Sequence, residues 1–248
     1  MPREVRLSHP DKVLFPQDGI TKADLAAYYE AVAPAMLPLV RDRPVNLWRW
    51  NAGIEGEVVV QQALPKGAPD WVARVTVARR RGGTVTHAIA NDAATLRWLA
   101  NQNCVTPHVW TSRADRPERP DRIVFDLDPA QDTPFAAIRS GALRLGEALH
   151  EVGLEPFAMT SGSRGIHVVA PLRRTADNDR VRDTARAIAD RLAEQDDTLT
   201  TAWRKDKREG RILIDTARNT FAQTTVAPYA VRAKSGAPVA TPLRWEEL

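Results

Sequence analysis

Three stretches of this 248-residue chain carry side chains whose types and spacing suit reaction chemistry. The first is Phe125-Asp126-Leu127-Asp128-Pro129, at the end of the apolar run Ile123-Val124-Phe125. On a strand, residues i and i+2 share a face, so both carboxylates project together while Phe125 and Leu127 turn the other way. Carboxylates a few ångströms apart repel and raise one another's pKa, and a hard divalent ion such as Mg²⁺ or Mn²⁺ relieves that repulsion. The plainer account of a lone Asp-X-Asp is a strand-end pair facing solvent or a turn. The second stretch is Thr160-Ser161-Gly162-Ser163-Arg164-Gly165-Ile166-His167-Val168. Its glycines and serines let backbone N–H groups approach a phosphate, Arg164 adds a charged fork, and His167 starts the next strand. An ordinary hairpin turn with a satisfied histidine uses the same residues without any ligand. The third stretch, Ile212-Leu213-Ile214-Asp215, is again an apolar strand ending in a carboxylate. Together Asp126, Asp128 and Asp215 make a candidate three-carboxylate site for two ions about 3.5–4 Å apart, as phosphoryl transfer requires. No Gly-x-x-x-x-Gly-Lys-Ser/Thr or Gly-x-Gly-x-x-Gly motif is present, so P-loop and Rossmann readings lack support.

The elements that position these residues follow from periodicity. Arg122 to Asp128 reads as a buried strand stopped by Pro129. Phe135 to Val152 reads as a helix with Ile138, Ala142, Leu145 and Leu149 on one face, closed by Gly153. Strands follow at 156–160 and 166–170, then a helix capped by Asn178 or Asp179 and running to about Glu194. Strands at 211–215 and 224–232 complete the second half. In the first half, Thr21 and Asp24 form a capping box before the periodic run Leu25, Tyr28, Tyr29, Val32, with Pro34 and Pro38 limiting or breaking that helix. Strands are expected at 45–50, 58–60 and 85–89, and Asp92 caps a helix from Ala93 to Leu99. Pro107 to Pro120 reads as a linker between two lobes. The fold class is mixed α/β or α+β.

Composition narrows the class. With 43% hydrophobic and 27% charged residues, the chain is neither mainly disordered nor fibrous. The longest apolar stretch, Ala31 to Val40, contains two prolines and falls well short of the roughly 20 residues a membrane helix needs. Met1 to Arg6 lacks the apolar core of a secretory leader. The single cysteine, Cys104, excludes an internal disulfide or a Cys-rich zinc site and suits a reducing cytoplasm. The formal charge of +4 is unevenly placed: Trp203 to Lys234 holds eight bases against three acids. Clustered bases point to a polyanionic partner such as nucleotide or nucleic acid, although solvated Arg-rich loops are common.

The order Asp-Leu-Asp, Ser-Gly-Ser-Arg-Gly-Ile-His, then an apolar strand ending in Asp resembles the archaeo-eukaryotic primase superfamily. The closer likeness is to the polymerase domain of bacterial ligase D and its stand-alone primase-polymerase relatives. Flanking stretches share it, among them His9-Pro10-Asp11-Lys12-Val13-Leu14-Phe15-Pro16, Gly19-Ile20-Thr21-Lys22, Trp98-Leu99-Ala100-Asn101-Gln102 and Thr225-Val226-Ala227-Pro228-Tyr229-Ala230-Val231-Arg232. The resemblance implies one primase-polymerase domain over 1–248, with an N-terminal α/β lobe (1–115) and a catalytic lobe (120–248) built on a sheet like that of an RNA-recognition motif. It implies template-directed addition of ribo- or deoxyribonucleotides to a DNA 3′-end at gaps or breaks, with Mn²⁺ or Mg²⁺. Carried over by position, Asp126 and Asp128 bind both metals and Asp215 the catalytic one. Ser161, Ser163, Arg164 and His167 contact the triphosphate and sugar, with His108 and Arg232 also on the nucleotide side. Lys12 and Lys22 match the pocket for a downstream 5′-phosphate, where helix-flanking solvated charge is the alternative. The implied partners are DNA, nucleoside triphosphates and end-joining proteins (a ligase, a Ku-like protein), without a membrane. The implied location is the bacterial cytoplasm, at the nucleoid.

The chain departs from this pattern in places. Arg164 stands where the family commonly has Lys, turning a point contact into a fork. Val59-Val60-Gln61-Gln62 replaces paired aromatics that stack on DNA. Thr216-Ala217-Arg218-Asn219 stands for Trp-Ser-Gln-Asn. No ligase or nuclease domain is expected within these 248 residues. A haloacid-dehalogenase-type phosphatase fits less well, because Pro129-Ala130 rather than Gly-Thr follows the second Asp. A nucleotide-sugar transferase leaves the Ser-Gly-Ser-Arg-Gly loop without a role. A DNA-end-binding module with weak or lost polymerase activity is the reading from a different class.

Overall fold

The computed structural model describes residues 4–248, so Met1-Pro2-Arg3, part of the leader argument, lies outside them. The chain divides into two units. The first runs to Asp115 and takes back Thr224–Ala240; the second comprises Arg116–Gln223 and Thr241–Leu248. Segment 224–240 thus clusters with the first unit, whereas a linear division leaves it in the second.

In the first unit, β1 (Val13–Phe15) and β2 (Ile20–Thr21) form a small antiparallel hairpin. Helix α1 (Lys22–Val40) starts at Thr21, whose capping box with Asp24 is complete. The prolines do not break it. Each removes one backbone donor, but Ala33, Met36 and Val40 are buried around them, and that packing carries the helix to its last turn. Then come β3 (Pro44–Trp50), β4 (Val58–Gln61), β5 (Arg74–Ala78), β6 (Thr84–Ile89), α2 (Ala93–Asn101, capped by Asp92) and β7 (Cys104–Trp110). The linker expected from Pro107 therefore begins too early, since β7 is buried along its whole length. Pro107 is tolerated because its ring nitrogen faces the β7 edge where the neighbouring strand has ended. Its carbonyl there accepts the Ala227 N–H at 3.0 Å.

The second unit contains β8 (Arg122–Asp128), α3 (Phe135–Glu151), β9 (Phe157–Thr160), β10 (Ile166–Pro171), α4 (Asn178–Gln195), β11 (Leu199–Thr200) and β12 (Ile212–Asp215). The cap of α4 is Asp177, one residue earlier than expected, its carboxylate accepting the Arg180 N–H at 2.9 Å. The chain then returns to the first unit as β13 (Thr224–Val226), shorter than the expected 224–232, and ends beyond β14 (Pro242–Leu243).

Two six-stranded sheets result, ordered β13-β7-β3-β6-β5 with β4 beside β3, and β11-β12-β8-β10-β9-β14. Within the second, β8-α3-β9-β10-α4-β12 is a split β-α-β arrangement with spatial order β12-β8-β10-β9, as in an RNA-recognition motif. Ile123, Phe125 and Leu127 of β8 turn toward Ile138, Leu145 and Leu149 of α3 and Val181, Ala185 and Leu192 of α4. Each large apolar side chain so buried contributes roughly 1.5–3 kcal/mol. Helices cover that face, and the alternate residues of β8 project from the other.

Candidate active site

Register aligns the chemistry. On β8, Asp126 lies opposite Asp215 of β12 on one side and opposite His167 of β10 on the other. Directly opposed residues of antiparallel strands point to the same face, so Asp215, Asp126 and His167 form a row across three strands. Asp128 shares that face as the i+2 neighbour of Asp126. His167 Nε2 lies 3.3 Å from Asp126 Oδ1, while its buried Nδ1 has no hydrogen-bond partner.

Each aspartate has a different environment. Asp215 is buried, and burial raises its carboxyl pKa above the usual range; the Ala217 N–H and Arg218 pull it back, while Asp126 and Asp128 add to the rise. Its Oδ1 accepts the Ala217 N–H at 2.8 Å, and Arg218 Nε stands 3.5 Å from Oδ2. Asp128 is half exposed and takes a 2.8 Å ion pair from Arg208, itself nearly buried. Among the described residues no group of three His, Cys, Asp or Glu side chains is gathered tightly enough to hold a metal. The donor set nevertheless suits one. Three hard oxygen donors share a face, their charges repel, and a buried histidine nitrogen beside them is unsatisfied.

Two positions secure β8. Asn219 accepts the Val124 N–H at 2.8 Å and donates to Val124 O at 2.7 Å and to Thr216 O at 2.9 Å. It takes over the β8 edge where pairing with β12 ends, two residues before Asp126. Gly165 packs so closely on the Leu127 carbonyl that a Cβ there would collide with it. In the loop before it, Ser161 Oγ accepts the Ser163 and Gly165 N–H groups at 3.3 and 3.1 Å, and Gly162 has φ +63°. Ser161 thus shapes the loop, while Ser163 and Arg164 are exposed.

The other expected residues lie in the first unit. Lys12, Lys22 and Arg49 line a pocket of about 620 Å³ with Ser8, Asn101 and Gln102. Lys22 is buried and donates to Ser8 O at 2.8 Å and Asn101 O at 3.2 Å; Lys12 Nζ donates to Asn51 O. Burial lowers the Lys22 pKa, and repulsion from Lys12 and Arg49 lowers it further. Three cations against one carboxylate, Asp11, line that pocket and suit an anion. His108 is buried against Trp48, ring centroids 4.2 Å apart and 21° from parallel, with Nδ1 3.2 Å from Thr106 O. Arg232 is half-buried in the returning segment. Val59 and Val60, which replace the stacking aromatics, are exposed on β4.

Sequence reading missed three contributors. Arg49 sits in an alternating strand that signals only β structure. Arg208 is one of eight bases with nothing to single it out. Asn219 ends a tetrapeptide that differs from the family pattern, yet it keeps that pattern's last residue.

Comparison with known proteins decides the family. A match to the family described as LigD, primase-polymerase domain spans residues 21–248. The chain belongs to the LigD primase-polymerase domain family. The multifunctional non-homologous end joining DNA repair protein LigD of Mycobacterium tuberculosis is 35% identical over 99% of this chain. The bifunctional non-homologous end joining protein LigD of Bacillus subtilis is 30% identical over 96% of it. The chain spans about a third of each, 34% and 38%. The polymerase domain of M. tuberculosis ligase D, solved in complex with DNA, superposes with a TM-score of 0.93 at 34% identity, covering 99% of this chain and 88% of that one. LigD primase-polymerase domains are metal-dependent nucleotidyltransferases acting on DNA. Among the described residues of this one, no helix is long and apolar enough to cross a membrane.

Proposed function

We propose that this chain adds nucleotides to a DNA 3′-hydroxyl at gaps or breaks, directed by a template strand, within non-homologous end joining. The observation that carries the reading is the row Asp215–Asp126–His167 across three adjacent strands, with Asp128 on the same face. Asp126, Asp128 and Asp215 would hold two divalent ions, Mn²⁺ or Mg²⁺. Bound there, the ions supply a lowered pKa for the attacking hydroxyl and charge neutralisation for the triphosphate.

The chain's own groups do the rest. Asp126 orients the His167 ring through Nε2, 3.3 Å from its Oδ1, and His167 contacts the sugar or triphosphate. Arg164 offers a fork to phosphate oxygens beside Ser163, while Ser161 keeps the loop in shape. His108, braced on Trp48, and Arg232 are further nucleotide contacts. Lys12 and Lys22, with Arg49, take the 5′-phosphate across the gap. A ligase and a Ku-like protein are the partners this work requires, at the nucleoid.

Primer extension on a gapped duplex with Mn²⁺, comparing ribo- with deoxyribonucleotides, tests the reading. Asp126→Ala or Asp215→Ala lowers addition by at least ~10²–10³-fold while DNA binding survives. Full-rate extension by either variant removes the metal assignment. Lys22→Met weakens binding of the 5′-phosphorylated duplex by roughly tenfold or more, the loss of one charged hydrogen bond, and leaves the 5′-hydroxyl duplex unchanged.

A further inference from the structure

The second unit carries a groove on the helix-covered side of its sheet, away from the carboxylates. We propose that this groove docks an acidic amphipathic helix of a partner protein. Its floor includes Ile123, Leu154, Leu172, Ile188 and Leu192, and it encloses about 540 Å³. Of the eight α4 residues lining it, Arg180, Thr184, Ile188, Arg191 and Gln195 recur at helical spacing and so form one stripe along that helix. From 180 to 195, at 1.5 Å per residue, the stripe runs about 22 Å. A cavity of that volume stretched over four helical turns is a slot for a row of side chains rather than a chamber for a compact small molecule. Val152, at the end of α3, adds an apolar side chain that is half exposed.

The rim selects the partner's charge. Arg173, Arg180 and Arg191 line the groove, and none of their guanidinium groups forms an ion pair with a described carboxylate. Arginines elsewhere on α4 behave differently: Arg182 pairs with Asp179 and Asp183, and Arg186 with Asp190. The arginines of α4 on the groove side thus lack the carboxylate partners that those elsewhere on the helix have. Glu151 is the only acid among the lining residues. Three unmatched guanidinium forks around an apolar floor complement a ligand with one apolar stripe flanked by carboxylates. A helix docks in such a groove through apolar residues at i, i+4, i+7 and i+11. Nucleic acid would leave the apolar floor unused, and a lipid surface would not follow a narrow concave slot.

The test uses the whole chain and a fluorescein-labelled synthetic 18-residue peptide with leucines at those four positions and glutamates beside them. The controls are a scrambled peptide of the same composition, a gapped duplex and phosphatidylglycerol vesicles. The patterned peptide gives a saturable rise in anisotropy, and the scrambled peptide does not. The exposed double variant Arg180→Glu with Arg191→Glu lowers affinity for the patterned peptide at least tenfold, with its melting midpoint and primer extension unchanged. Equal binding of the scrambled peptide, undiminished binding by the double variant, or displacement of the peptide by vesicles or duplex each overturns the proposal.

Discussion

Strands β7 and β8 each sit between two neighbours in a six-stranded sheet, yet they do opposite things. All seven residues of β7 are buried, and its polar groups are turned to internal bonding: Thr106 Oγ donates to Val231 O, and His108 Nδ1 lies against Thr106 O. β8 buries one face under helices and exposes carboxylates on the other. Two buried histidines repeat the contrast. His87, in the first unit, lies edge-on to Trp110 at 5.1 Å, and burial lowers its pKa toward the neutral ring. His167, in the second, faces the Asp126 carboxylate. His87 packs on an aromatic ring away from any acid, whereas His167 lies in the row of site carboxylates, where local strain is expected.

If that division is right, the largest loss of stability comes from the first unit. Arg43 is essentially fully buried and donates to the carbonyls of Leu39, Trp110 and Thr111. Arg43→Met removes those bonds and strands the acceptors, at a cost of about 3–5 kcal/mol. The melting midpoint then falls by roughly 10 °C, as differential scanning calorimetry would read. A midpoint within a degree of the parent would erase the contrast, because the polar groups around β7 would not be holding the fold.

The next test moves to the second unit and separates stability from activity. Gly165→Ala places a Cβ against the Leu127 carbonyl, between the two acids of β8. Overpacking costs about 1–3 kcal/mol. Displacing the carboxylates by even about 1 Å costs on the order of 10²-fold in rate. The variant is therefore expected to melt a few degrees lower while losing far more activity than its folded fraction explains. Activity that simply tracks the folded fraction would show that the loop does not position the acids.

How much of this was legible in the sequence depends on distance along the chain. The capping box at Thr21, the shared face of Asp126 and Asp128, and the stripe of α3 are local patterns, and they appear as expected. β7 was misread because Pro107 is a strong local breaker, and only the register of its neighbours shows that the missing donor costs little. The Arg208–Asp128 pair spans 80 residues and the Asn219–Val124 clamp 95, separations that no spacing rule reaches. The basic segment was legible as charge but not as structure: Arg208 and Arg218 face the site acids, while Arg204 and Arg211 are matched by Asp206 and Glu209.

The smallest expected effect has the opposite sign and sharpens the comparison most. Burial, with the charges of Asp126 and Asp128, raises the Asp215 carboxyl in the folded protein above its ordinary value of 3.8. Between that value and the raised one, the folded protein binds more protons than the unfolded chain, so stability falls as pH climbs through this window. Below the window the neutral acid costs nothing, and above it the full penalty is present. Asp215→Asn keeps an oxygen for the Ala217 N–H and removes the charge. It is expected to raise the melting midpoint at pH 7 while abolishing nucleotide addition. The advantage should shrink as the pH is lowered through that window, because the parent then becomes protonated at Asp215. A variant less stable than the parent at pH 7 would mean that Asp215 braces the fold as Arg43 does, and the two units would no longer differ in kind.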